Sequence, residues 1–395
     1  MTAFILVIIY ISFICLGLPD SLLGVSWPMI RTEFGVSLSA VGPVFMTIAG
    51  GTIVSSFFSG HVLKRFGTAK VAAISTAMTA AGILGFYFAP GVQWFYLMAI
   101  PLGLGAGSVD AGLNDYVATH YKSHHMSWLH CFWGIGATVG PMIMSQFIKG
   151  STWRMGYLTV AMIQASFAVF LLATLPAWKK AESQRVTTSE EPTDADSVPA
   201  AENNKASRLL ATKGVKPVLI TLLFYCGAEA TLGLWGSSYL VQIKNLTPSV
   251  AASWVAMYYG GITVGRFFNG FLTLKLSNKA LIRLGLLILL GGVLLLLLPL
   301  PGSFTMLGMM CIGLGCAPIF PCILHETPAR FGAERSRSLM GIQMAVAYTG
   351  STFLPPIFGY AAGAISLALY PFTIFAFTLI MILCAERTNR IFSNL

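Results

Sequence analysis

Long apolar runs, broken at intervals by short polar ones, dominate this 395-residue chain. A helix needs about 20 mostly apolar residues to cross a bilayer. The polar interruptions mark off twelve such runs, near 4–28, 38–60, 69–89, 94–118, 128–149 and 155–177, then near 217–240, 250–273, 280–299, 303–325, 337–361 and 365–385. The longest polar stretch, 179–216, separates the sixth from the seventh, and its middle is rich in Ser, Thr, Glu, Asp and Pro, the composition of a flexible tether. The pattern predicts an all-α membrane protein: twelve transmembrane helices in two pseudo-symmetric six-helix bundles, residues 1–178 and 216–395, joined by a cytoplasmic linker over 179–215. The first run lacks a basic leader and a small-residue cleavage site and reads as a retained span.

Composition agrees. Hydrophobic residues make up 56% of the chain and charged ones only 10%, where soluble domains carry about 25% charged residues. Basic residues set the orientation, since short cytoplasmic loops collect Lys and Arg. With both termini cytoplasmic, nineteen of the 24 Lys and Arg fall on the inner side. Four (Arg31, Lys149, Arg154 and Lys244) fall outside, and Arg266 stays within a span. The net charge of +10 then reflects membrane orientation and implies no nucleic-acid partner. The seven cysteines form no C-x-x-C pair, so neither a metal site nor a disulfide framework is indicated, and no cofactor is expected.

The charged groups inside the spans carry the chemistry. A carboxylate in hydrocarbon costs several kcal/mol unless it is paired, protonated or faces a wet cavity. Between Trp94 and Ala118 the only charged residues are Asp110 and Asp115. Asp110 and Asn114, four apart, share a helix face, and Asp115 lies about 100° round from Asn114. Asp110 is a candidate for carrying a coupling proton and Asn114 for binding solute; Asp115 is a gate or helix-end group. Asp20 follows Pro19, which removes a backbone donor and can open the helix, so it either caps a local break or lines a cavity as a ligand for solute or cation. Glu229 is the acid of the seventh span, with Trp235 and Tyr239 beyond it. These two aromatics offer apolar faces to a sugar ring, or Trp235 sits in the interfacial belt. Gln343 is a further cavity candidate. His130 is a structural group or a proton relay. Arg266 is a gate contact or a ligand for an anionic solute.

Several segments resemble known transporters. Gly60, Arg65 and Gly67 match the G-x-L-A-D-R-x-G-R motif of the major facilitator superfamily, with Lys64 standing where that motif has an acid. The resemblance implies two rocking bundles around a central cavity and a gating role for Arg65. Val109-Asp110-Ala111-Gly112-Leu113-Asn114 resembles the L-E-T-A-A-N stretch of fucose permease and related glucose and hexose permeases. By that resemblance Asp110 takes the proton-coupling role and Asn114 a place in the sugar cavity; Asp20 resembles a substrate-contacting aspartate. Leu129-His130-Cys131-Phe132-Trp133-Gly134 is similar to the L-H-x-F-F-G segment of the same branch.

The expected function is secondary active import of a small polyhydroxylated solute, a monosaccharide, by proton symport in a plasma membrane of the bacterial inner-membrane type. Sodium is the rival coupling ion. Proton coupling falls to Asp110 and Asp20, and substrate binding to Asp20, Asn114, Glu229, Trp235, Tyr239 and Gln343. Gating falls to Asp115, Arg65, Arg266 and His130. A drug or metabolite exporter and a non-transporting membrane receptor are the alternative classes. The chain shows no P-loop, nucleophile or metal triad, so an enzyme is not expected. The partners implied are a sugar-like solute, a coupling ion and membrane lipid, with a monomer as the working unit.

Overall fold

The computed structural model describes residues 2–121, 123–150, 152–178 and 209–393. The expected tether falls almost wholly outside them. The described chain is helical throughout. In the first half α1 (Thr2–Asp20), α2 (Leu22–Phe34), α3 (Val41–Phe66) and α4 (Thr68–Tyr87) are followed by α5 (Val92–His120), α6 (Ser123–Lys149) and α7 (Arg154–Ala173). The second half holds α8 (Val215–Gln242), α9 (Pro248–Leu272), α10 (Asn278–Leu297), α11 (Gly302–Cys316), α12 (Ile319–Phe331), α13 (Ala333–Ala364) and α14 (Leu369–Ser393).

Two predicted spans are each a pair of helices. The first breaks at Ser21, directly after Pro19 and Asp20, where proline removes a backbone donor. The Cys15 carbonyl, which Pro19 cannot serve, accepts instead from the Gln164 amide on α7 at 2.7 Å, and the Ser21 hydroxyl donates to the Ala137 carbonyl on α6 at 3.1 Å. The other span breaks between α11 and α12, at Ala317 and Pro318.

Ten stretches among the described residues are long and apolar enough to cross a membrane, where the sequence pattern predicted twelve. The two that fall short, α9 and α13, have the length, at 25 and 32 residues. Their Gly, Ser, Thr, Tyr and Gln content dilutes the apolar signal. Both are also helices through which the second half meets the first: α9 packs along α6, and α13 against α3. A helix facing protein and polar groups has less need of a continuous apolar surface than one facing lipid.

A third contact sets α2 against α8, and α2 also touches α9. The α2–α8 contact is close because Gly24 has no side chain: a Cβ there would stand 2.3 Å from the Gly233 carbonyl oxygen. The Ser237 hydroxyl donates to the Val25 carbonyl at 3.2 Å. On the α6–α9 seam, Ser145 meets the Ser249 and Ser253 hydroxyls at 3.0 and 2.8 Å. All three lie toward the end of the molecule opposite the one that carries Lys64, Arg65, Lys70 and Arg330. That second end is called the basic end below.

Substituting Gly24→Val should force α2 from α8. Overpacking of this kind costs about 1–3 kcal/mol, so the melting temperature should fall by several degrees. An unchanged melting curve would show that the two helices do not approach this closely.

Candidate functional site

Asp20 closes α1 directly before the break at Ser21, and its carboxylate accepts a 2.7 Å hydrogen bond from the Trp133 indole N–H on α6. The other side of Trp133 faces the second half. The Arg266 guanidinium of α9 lies over the indole ring, 5.2 Å from its centroid, and the Tyr259 ring meets it edge-on at 6.4 Å. Arg266 in turn reaches Glu229 of α8 at 3.5 Å, with both side chains largely shielded, at 15% and 18% exposure. The Tyr258 hydroxyl donates to the Glu229 backbone carbonyl at 3.3 Å. Asp20, Trp133, Arg266 and Glu229 therefore form one chain of contacts that crosses from half to half.

Asp110 stands near its end. Asn114 donates through Nδ2 to both the Asp110 carboxylate and its backbone carbonyl, each at 2.9 Å. Asp110 lies within electrostatic reach of Asp20 and of Tyr348 on α13. Asp20 and Asp110 are enclosed by protein yet keep accessible surface. Groups with both properties line an internal opening, which is how a membrane protein keeps carboxylates away from hydrocarbon. His130, also accessible, sets its ring edge-on to Phe13 at 6.0 Å and lies within reach of the Arg266 charge.

Other predicted residues lie elsewhere. Trp235 is fully buried, its indole donating to the Pro355 carbonyl at 2.8 Å and its ring packed near Phe358. Tyr239 is buried too, stacked on Tyr370 at 4.8 Å with its hydroxyl aimed at the Leu296 carbonyl. Both fasten α8 within the second half. Gln343 is buried against Thr327, joining α12 to α13. Asp115 is exposed on α5, and Arg65 is exposed at the end of α3, 5.6 Å from the Phe66 ring. No group of His, Cys, Asp and Glu suited to a metal ion occurs among the described residues.

The residue that sequence reasoning missed is Trp133. Its signal was present: an indole inside the Leu129–Gly134 segment, where the resembling pattern has phenylalanine. Tyr258 and Tyr259, adjacent on α9, were missed as well.

The arrangement sets opposed charges and hydroxyls on two abutting halves, with small residues letting the helices approach. The description "Major Facilitator Superfamily" matches residues 9–355. The chain belongs to that superfamily. It is 26% identical over 393 residues to "Bypass of stop codon protein 6" of Saccharomyces cerevisiae, covering 91% of this chain and 77% of that protein. It is 23% identical over 380 residues to a "Putative glucose/galactose transporter" of Helicobacter pylori, covering 88% of this chain and 86% of the other. Among solved structures, the nucleoside transporter NupG superposes with a TM-score of 0.72 at 14% identity, covering 98% of each chain. At that identity the likeness concerns the fold alone.

Neutralising one member of the Arg266–Glu229 pair leaves the other charged and shielded, which costs more than the pair itself contributes. Glu229→Gln and Arg266→Gln should each lower the melting temperature, and the double variant should recover part of the loss. Additive losses in the double variant would show that the two side chains do not depend on one another.

Proposed function

We propose that this member of the superfamily is a secondary active transporter that imports a small polyhydroxylated solute, a monosaccharide, together with a proton. The reading takes α9 and α13 as membrane-crossing helices beside the ten apolar stretches, so that two six-helix halves rock about a central cavity. It places the basic end and both termini in the cytoplasm. One observation carries it: Asp20, at a helix break within the first span, is accessible and linked through Trp133 to the Arg266–Glu229 pair of the other half. A group so placed responds to solute and ion together.

The sequence of events follows from the electrostatics. The solute's hydroxyls meet Asn114, Asp20 and Glu229, which offer donors and acceptors in the polar part of the cavity. A proton taken up by Asp20 or Asp110 removes a charge that would resist enclosure. The halves then turn, the proton leaves on the more alkaline side, and the restored carboxylate resets the cavity. The close contacts of α2 with α8 and of Ser145 with Ser249 and Ser253 hold the halves together at the end away from the basic one. We read the conformation as open toward the cytoplasm. The likeness of Asp110–Asn114 to the fucose and hexose permeases, and the sugar-named relative from Helicobacter pylori, support the monosaccharide. Trp235 and Tyr239 enter this reading as braces of α8 that hold Glu229 in place.

The test is a panel of D-glucose, D-galactose, D-mannose, D-xylose and L-fucose against the purified chain, followed by melting temperature. A ligand at a hundredfold excess over its dissociation constant stabilises by about 2.7 kcal/mol, a shift of several degrees. In proteoliposomes Asp110→Asn should abolish proton-driven accumulation of the stabilising sugar while sparing counterflow exchange. No response to any sugar would overturn the monosaccharide reading, and unaltered accumulation by Asp110→Asn would remove Asp110 from coupling. Accumulation that ignores a proton gradient but follows external sodium would transfer the role to that ion.

A further inference from the structure

Trp133 touches both charged systems of the cavity, one with its edge and the other with its face. We infer that Trp133 is the positioning residue that couples Asp20 to Arg266, so that the state of the carboxylate in one half sets the hold on the guanidinium in the other. The inference deepens the transport reading by naming the part through which the halves sense one another.

The physical basis is the polarisation of an indole. Its N–H is a donor only, and here it donates to a carboxylate at 2.7 Å, a charge-assisted bond. Drawing the N–H toward a negative oxygen pushes electron density back into the ring. The ring face is what holds Arg266, by the attraction of a cation to the π system. An ionised Asp20 therefore strengthens the grip on Arg266, and a neutralised Asp20 loosens it. The coupling is reciprocal, as any linkage of two equilibria must be: Arg266 over the ring withdraws density and makes the N–H a better donor to Asp20.

Arg266 is placed to respond. Its contact with Glu229 is a single long one, at 3.5 Å, and Tyr225 and Tyr258 lie within its electrostatic reach, so its position depends on the indole as well as on these groups. Loosened from Trp133, it moves toward Glu229, changing the acceptors that a solute meets in the second half. Tyr259, edge-on to the same indole, fixes the ring plane from the second half. Phenylalanine at this position would keep a face for Arg266 but offer nothing to Asp20. The indole does both at once.

The test needs no transported solute, so it stands apart from the monosaccharide reading. Melting temperatures are measured on the purified full chain for the parent, Asp20→Asn, Arg266→Gln and the double variant, and the same four are repeated with Trp133→Phe added. With Trp133 in place the two substitutions should be non-additive by about 2–4 °C; with Trp133→Phe at least half of that should vanish. Trp133→Leu, which removes both the donor and the ring face, serves if the phenylalanine chain does not fold. A second readout is the emission assigned to Trp133 by subtracting the Trp133→Phe spectrum from that of the parent: it should shift in both Asp20→Asn and Arg266→Gln. Non-additivity that survives both replacements, or emission indifferent to the two charges, would overturn the inference. It would leave sugar binding and uptake untouched.

Discussion

Charge held inside an apolar helical protein must be compensated where it stands, and the design of this molecule follows from that constraint. A carboxylate at the centre of a membrane helix costs about 2.5–3.5 kcal/mol even on permissive scales. This chain places Asp20, Asp110 and Glu229 there together with Arg266. Each is given a partner: an indole N–H for Asp20, an amide for Asp110, and a shared contact for Glu229 and Arg266. Each of these partners lies in the same half as the charge it serves, and the link between the halves is the Arg266 guanidinium over the face of Trp133. The polar centre and the small-residue seams of α2 with α8 and α6 with α9 are two parts of one solution. The seams bring the halves within reach, and the charges make the approach worthwhile.

Most of the fold was legible because the bilayer imposes a length and a polarity on every crossing segment. The first break was legible too, since Pro19 announces the opening at Ser21 by removing a donor; the break at Ala317 and Pro318 was not foreseen. At α9 and α13 the helices stand where the polar interruptions placed them, but their composition does not meet the apolar standard although their lengths do. A helix buried against protein answers to its neighbours, and a hydropathy pattern reports only its relation to lipid.

At the site, the sequence showed which groups are out of place in hydrocarbon, but not which way each helix turns. Asp110 and Asn114 were found as a pair because their four-residue spacing sets them on one face whatever the surroundings. Trp235 was misjudged as a partner of Glu229 because both lie on one helix six residues apart. Six residues at about 100° each put the two side chains roughly 120° apart, and the structure gives Trp235 to the α13 contact. The aromatic beside the charges is Trp133, from another helix in the other half. Proximity between halves depends on how helices cross, and no periodicity within one helix encodes that.

The balance of charges also bears on what the cavity accepts. Three carboxyls face one guanidinium, and that guanidinium is already engaged by Glu229 and by the face of Trp133. An anionic solute would have to break both contacts to reach Arg266, and it would meet the field of Asp20 and Asp110 on the way. On the transport reading proposed above, a neutral polyhydroxylated solute would meet no such opposition, exchanging water for carboxylate and amide partners at little electrostatic cost. A cation arriving with it relieves the excess negative charge. On that reading, the excess negative charge that makes the cavity costly to close is what a proton arriving with a neutral solute would remove.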